Sequence, residues 1–81
     1  LQSLSLLNDP FLLRESERFA NRLESSYPDD VQSQVTAAYR SAFGREPTAA
    51  ERERAAKFVR ERTLFHFCRA MLNANEFVYV D

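Results

Sequence analysis

The chain has 81 residues, with 11 basic and 12 acidic side chains and a net charge of -1. This balance excludes the strong positive field on which nucleic-acid-binding and anionic-membrane-binding domains rely. A single cysteine, Cys68, excludes an internal disulfide and a cysteine-rich metal site. No apolar run approaches the roughly 20 residues that span a bilayer, so we expect neither membrane insertion nor nucleic-acid binding.

The length suits one small helical domain or subdomain over residues 1–81. A domain of this size buries about 60% of its unfolded surface, so we expect partners to contribute to its stability. Because the chain opens at Leu1 rather than at a methionine, we expect it to be the C-terminal piece of a larger protein.

The first helix signals follow a leading segment, residues 1–7, that is typical of the last turns of an earlier helix. Asp9 followed by Pro10 indicates a helix start, because aspartate can accept from exposed backbone N–H groups and proline gives up nothing at the first helical position. This first helix is predicted to run to about Leu23, where a stretch rich in serine and proline follows.

A second helix is predicted after Asp29 or Asp30, with apolar residues at the i, i+4, i+7, i+8, i+11 spacing of one helix face. Gly44 is predicted to end it in the left-handed conformation. Thr48 and Glu51 then form a capping-box pattern, which predicts the start of a third helix.

A fourth apolar stripe follows at helical spacing, but out of phase with the third. At about 100° per residue, the face centred on Phe58 and Val59 lies nearly opposite the face centred on Cys68 and Met71. One straight helix would show one of these faces to solvent. We therefore predict a break over residues 60–63 or a linker missing from this sequence there; the alternative is a long helix covered by partners on both sides.

These segments predict an all-α fold, a small bundle of about four helices with an extended C-terminal tail. The large apolar residues on the inward stripes are predicted to form the core. They are Phe19, Leu23, Val35, Tyr39, Phe43, Phe58, Leu64, Phe67, Met71 and Leu72.

The last ten residues are the most informative segment. The helical pattern stops at Asn73, and residues 77–80 are too apolar and too β-prone to be left in water without a surface. We predict that this tail packs on its own domain or on its parent protein. The polar residues before it either end the helix or form a recognition surface for another domain. The candidate interaction or structural motif comprises Asn73, Asn75, Glu76, Phe77, Tyr79 and Asp81.

No catalytic, cofactor-binding or metal-binding residues are predicted, and this fragment is not expected to be an enzyme. His66, Cys68 and Met71 raise the question of haem or copper, but residues two apart on a helix point in different directions. Cys68 and Met71 fit the apolar stripe and are predicted to lie in the core, with His66 solvated or capping. With one histidine in the chain, a complete nucleophilic site is not expected.

Arg14, Arg18 and Arg22 form an i, i+4, i+8 stripe that would suit phosphate or a carboxylate-rich partner. Glutamates interrupt the stripe on the same helix. We therefore interpret it as a solvated face with salt bridges.

Three segments carry a resemblance to a known family. They are LNDPF at residues 7–11, AYR with FGREPT and a following glutamate at residues 38–51, and LNANEFVYVD at residues 72–81. Together they resemble the C-terminal end of the planctomycete cytochrome-associated domain-of-unknown-function family, most specifically in the closing segment. The resemblance implies a large exported parent with a cytochrome c-like domain upstream, so that any haem lies there and not in this chain. It also implies an extracytoplasmic location, periplasmic or at the cell surface, and supplies no catalytic residues.

Two functions are therefore predicted as alternatives. The first is a non-catalytic interaction or scaffold module at the C-terminus of an exported protein, with upstream domains of the same polypeptide or another protein as partner. The second is one wall of the site of an exported enzyme or electron-transfer protein, for instance one acting on polysaccharide. A cleft rimmed by Tyr39, Arg40, Asn73 and Asn75 would favour the second, and burial of all four would favour the first.

Overall fold

The computed structural model describes residues 10–74, which form four helices. These are α1 (Pro10–Ser26), α2 (Val31–Phe43), α3 (Ala49–Glu61) and α4 (Leu64–Leu72). Helix α4 packs chiefly along α1, and α2 packs chiefly along α3. The predicted all-α bundle of four helices is confirmed, while the predicted tail and the leading segment lie outside the described residues.

Helix α1 is longer than the sequence predicts. It continues past Leu23 through Ser26, and the backbone N–H of Tyr27 still donates to the Leu23 carbonyl at 2.9 Å. The serines that were expected to interrupt the helix instead form its last turn. The start signal at Asp9 lies outside the described residues.

Helix α2 has the caps that its flanking residues predict. The carboxylate of Asp30 accepts from the backbone N–H of Ser33 at 3.2 Å, so Asp30 is the N-cap. Asp29 lies in the preceding turn with a φ of 56°. At the other end, Gly44 has a φ of 71°, and its N–H donates to the Arg40 carbonyl. The left-handed glycine cap is confirmed, and it turns the chain toward α3.

The capping box of α3 is also confirmed. The Thr48 hydroxyl accepts from the Glu51 N–H at 3.1 Å, and the Glu51 carboxylate accepts from the Thr48 N–H at 2.9 Å. These reciprocal bonds satisfy two backbone donors that an uncapped helix start would leave open.

The predicted break between the third and fourth helices lies at Arg62 and Thr63. Arg62 departs from helical geometry, with φ -114° and ψ -101°. Thr63 is extended, and its hydroxyl accepts from the His66 N–H at 3.0 Å. No glycine or proline is needed because a threonine cap starts the new helix. The single straight helix is wrong, and a longer natural linker here stays a prediction.

The core is one cluster at which all four helices meet. Small residues such as Ala38, Ala42 and Ala55 let α2 and α3 approach closely. The predicted core residues Phe19, Leu23, Val35, Phe67 and Met71 are buried. The other predicted ones pack against this cluster but are only half-buried: Tyr39, Phe43, Phe58, Leu64 and Leu72.

Two buried polar side chains, which the sequence patterns did not reveal, fix the first two helices. Gln34 is 2% exposed, and its amide donates to the Tyr27 carbonyl at 2.7 Å and to the Glu24 carboxylate at 3.1 Å. Ser16 is fully buried and donates to the Leu12 carbonyl at 2.8 Å. Both side chains donate hydrogen bonds to a carbonyl or a carboxylate, so their donor groups are satisfied although they are buried.

Candidate functional site

An open groove of about 740 Å³ lies between α2, α3 and α4, and we call it the aromatic groove. Its apolar surface is formed by residues from all three helices and from the chain just after α4. They are Tyr39, Phe43, Ala55, Phe58, Phe67, Ala70, Met71 and Ala74. Its charged lining residues all come from α3: Glu51, Arg54, Lys57 and Glu61.

The aromatic rings of the groove hold one another in place. Tyr39 and Phe43 are four residues apart on α2 and meet edge to face, with ring centroids 5.2 Å apart. Phe58 on α3 lies against Phe67 on α4 at 6.4 Å. Phe67 is buried, whereas the other three rings are half-buried, and all four line the groove. The groove is thus a preformed apolar surface resting on the core.

Arg45 packs against two aromatic rings of the groove, and sequence reasoning missed it. Its guanidinium donates twice to the Glu51 carboxylate, at 2.8 and 3.0 Å, and lies 5.5 Å from the Tyr39 ring centroid and 5.8 Å from that of Phe43. The forked hydrogen bonds and the contact with the ring faces tie the α2–α3 loop to both helices. The only feature of the sequence that could have indicated this pair was an arginine six residues before the capping-box glutamate.

Glu51 therefore serves the helix cap and the Arg45 pair together. The hydrogen bonds from Arg45, and then the one from the Thr48 N–H, lower the pKa of the Glu51 carboxyl from 4.5 to about 2. Both favour the ionised form in the folded chain. The pair contributes stability while Glu51 is ionised.

The pH dependence of unfolding should reveal this pair. A folded pKa below the unfolded one gives stability that is present above about pH 4.5 and lost as the pH falls toward about 2. We expect Glu51→Gln to melt below the wild type at pH 7 and the two melting temperatures to converge near pH 2. Thermal melts across this range check the expectation, and a constant difference at every pH would contradict it.

Asn73 ends α4, which is one of the two roles that the sequence predicts for it. As the C-cap of α4, its backbone N–H donates to the Arg69 and Ala70 carbonyls, both at 3.2 Å. Its side-chain Oδ1 is buried and finds no donor among residues 10–74. The rest of the predicted motif lies outside the described residues: Asn75, Glu76, Phe77, Tyr79 and Asp81.

The described residues of the predicted cleft do not share one site. Tyr39 lines the aromatic groove, whereas Arg40 lines a separate shallow cleft and pairs with Glu46 at the surface. Asn73 is half-buried. The three described residues show neither a common cleft nor complete burial, so this criterion favours neither hypothesis.

The histidine, the cysteine and the methionine on α4 do not converge. Cys68 is fully buried and Met71 is 4% exposed, which confirms their place in the core. Burial raises the pKa of the Cys68 thiol to about 12. His66 is exposed, with Nδ1 2.7 Å from the Thr63 hydroxyl, as expected of a solvated residue beside a helix cap. Within residues 10–74, no group of three or more histidine, cysteine or acidic side chains is arranged to hold a metal.

The arginine stripe on α1 is a solvated face. Arg14, Arg18 and Arg22 are all exposed. Arg18 lies 4.0 Å from the Glu15 carboxylate, and Arg22 lies over the Phe19 ring, 5.4 Å from its centroid. The predicted solvated face is confirmed, and of its three arginines Arg18 forms an ion pair within residues 10–74.

The described fold and site define a small four-helix module with an apolar groove between α2, α3 and α4. Residues 1–59 match the model of a protein family described as PSD1, "Protein of unknown function (DUF1553)". Since the match covers most of the chain, the protein belongs to this family. The match ends before α4, so the closing segment that carried the most specific resemblance lies beyond the matched residues.

No curated protein and no solved structure matches the chain. None of the helices in the described part has the length and apolar character needed to cross a membrane.

Proposed function

We propose that this chain is a non-catalytic helical interaction or scaffold module at the C-terminus of a larger exported protein. Its aromatic groove binds an extended apolar segment of that same polypeptide. The observation that carries the proposal is the groove itself, with a preformed aromatic surface and charged residues from a single helix. A contiguous concave apolar surface of this kind is typical of interaction sites.

The chemistry of the groove suits a peptide better than a small polar ligand. Specific sites for small polar molecules have a few convergent polar groups that fix the ligand's orientation. Here most of the lining residues are apolar, and Glu51, one of the charged ones, is already bound by Arg45. The groove therefore offers an occupant mainly apolar contact, beside charged side chains from α3.

The nature of the parent is supported by family evidence. Membership of a family of unknown function fits an uncharacterised module. The resemblance to the planctomycete cytochrome-associated family supports a large exported parent, an extracytoplasmic location, and haem in the upstream domains. The alternative of an enzyme wall has no comparable support, because Tyr39 and Arg40 line different clefts.

A photo-crosslinking amino acid in the full-length parent protein tests the proposal. Ala70 is exposed and lines the groove, so a crosslinker there should capture the occupant. Arg60 is exposed on α3 outside the groove and is the matched control. After digestion and mass spectrometry, we expect Ala70, but not Arg60, to crosslink to a segment of the same polypeptide. Equal or absent crosslinks at the two positions, or capture of a different protein only, would overturn the proposal.

A further inference from the structure

We infer that the segment occupying the aromatic groove is the chain's own end, residues 75–81. This inference rests on the proposed function and names the occupant of its groove. It is carried by four observations: where α4 ends, the alternation of residues in the segment, the charge at the groove, and a buried oxygen on Asn73.

The chain leaves the last helix at the groove. Helix α4 ends at Leu72, Asn73 caps it, and Ala74 already lines the groove. Seven further residues in extended form reach about 23 Å, and the molecule measures 32 × 24 × 22 Å. Residues 75–81 are therefore long enough to lie along the groove without a linker.

The residue pattern of the segment matches an aromatic surface on one side. In an extended chain successive side chains alternate between two sides, so Phe77 and Tyr79 share a side, and Val78 and Val80 share the other. Directed at the half-buried rings of the groove, the two aromatic residues would find partners for edge-to-face contacts. The valines would then cover the outer side.

The charges of the segment complement those at the groove. Residues 75–81 carry two acids, Glu76 and Asp81, and no basic residue. On α3, Arg54 forms no ion pair within residues 10–74, and Lys57 lies 3.9 Å from the Glu61 carboxylate in an exposed pair. Arg54 is therefore the groove cation that lacks an ion-pair partner within residues 10–74. The carboxylates of Glu76 and Asp81 could pair with it.

The buried oxygen of Asn73 marks the turn into the groove. Its Oδ1 has no donor in the described part of the chain, and a buried acceptor of this kind is normally satisfied. A backbone N–H of the segment that follows can donate to it, because asparagine side chains commonly bond to backbone groups a few residues away. Such a bond would hold the segment where it enters the groove.

Paired tail variants of the 81-residue chain test the inference. Phe77→Ser with Tyr79→Ser should lower the melting temperature by roughly 5–10 °C, because the aromatic side is the buried one. The matched control, Val78→Ser with Val80→Ser, should lower it by clearly less. Equal shifts for the two pairs, or an unchanged melting curve for the aromatic pair, would overturn the inference.

A second measurement assigns the effect to the groove. Phe58→Ser removes a ring from the groove, so adding the aromatic tail pair to it should cost much less than in the wild type. Strictly additive shifts would overturn docking in this groove. The crosslinker at Ala70 separates the two proposals: capture of residues 75–81 supports both, capture of another segment of the same polypeptide overturns only this inference, and no specific capture overturns both.

Discussion

Replacing Phe67 by alanine is expected to lower the free energy of unfolding by about 3–5 kcal/mol. Phe67 is 6% exposed and belongs to the core cluster. Its ring also packs against the ring of Phe58, which lines the groove. A chain of this length has a total stability of roughly 4–12 kcal/mol. The variant should therefore unfold at a much lower urea concentration, or be largely unfolded without urea, in circular dichroism titrations.

The neighbouring phenylalanine on the same helix is the matched control. Phe65 is half-buried and lies edge to face with the exposed His66 ring, 5.5 Å between centroids. Phe65→Ala removes the same atoms from a less buried position, so it should cost roughly 1–2 kcal/mol. Similar losses at the two positions would show that the core is not centred where the structure places it.

The helix boundaries were the most predictable part of the fold, because they depend on local chemistry. Asp30, Gly44 and the Thr48–Glu51 box each act within four residues of sequence. The break before α4 was predictable from two apolar faces that one helix cannot bury together. The end of α1 was less predictable, since Ser26 has no strong tendency to stop a helix that its neighbours continue.

The groove was not predictable because it depends on how closely three helices approach. Periodicity placed Tyr39 and Phe58 on inward faces, but it cannot say how much of each ring a neighbouring helix covers. The same limit hid the bond between Arg45 and Glu51, which requires the α2–α3 loop to fold back on the helix start. Asn73 was found because ending a helix is again a local role.

Cys68 is expected to resist alkylation in the folded chain. Burial raises its pKa from 9.0 to about 12, so at pH 8 the reactive thiolate is about 1000-fold scarcer than in the unfolded chain. A thiolate of higher pKa is intrinsically more nucleophilic, which offsets part of this factor. With a side chain that is fully buried, the reaction with iodoacetamide should be at least about 100-fold slower than in 6 M guanidinium.

This measurement also bears on the proposed function. A module that works by packing has no use for a reactive thiol, whereas a thiol-dependent catalytic site or a redox site on α4 would need a thiol that substrate or oxidant can reach. The Phe67→Ala variant supplies the control, because loosening the core beside Cys68 should raise the alkylation rate toward the unfolded value. Rapid alkylation of the wild type under conditions where it remains folded would contradict both the burial of Cys68 and the interpretation of α4 as a packing element.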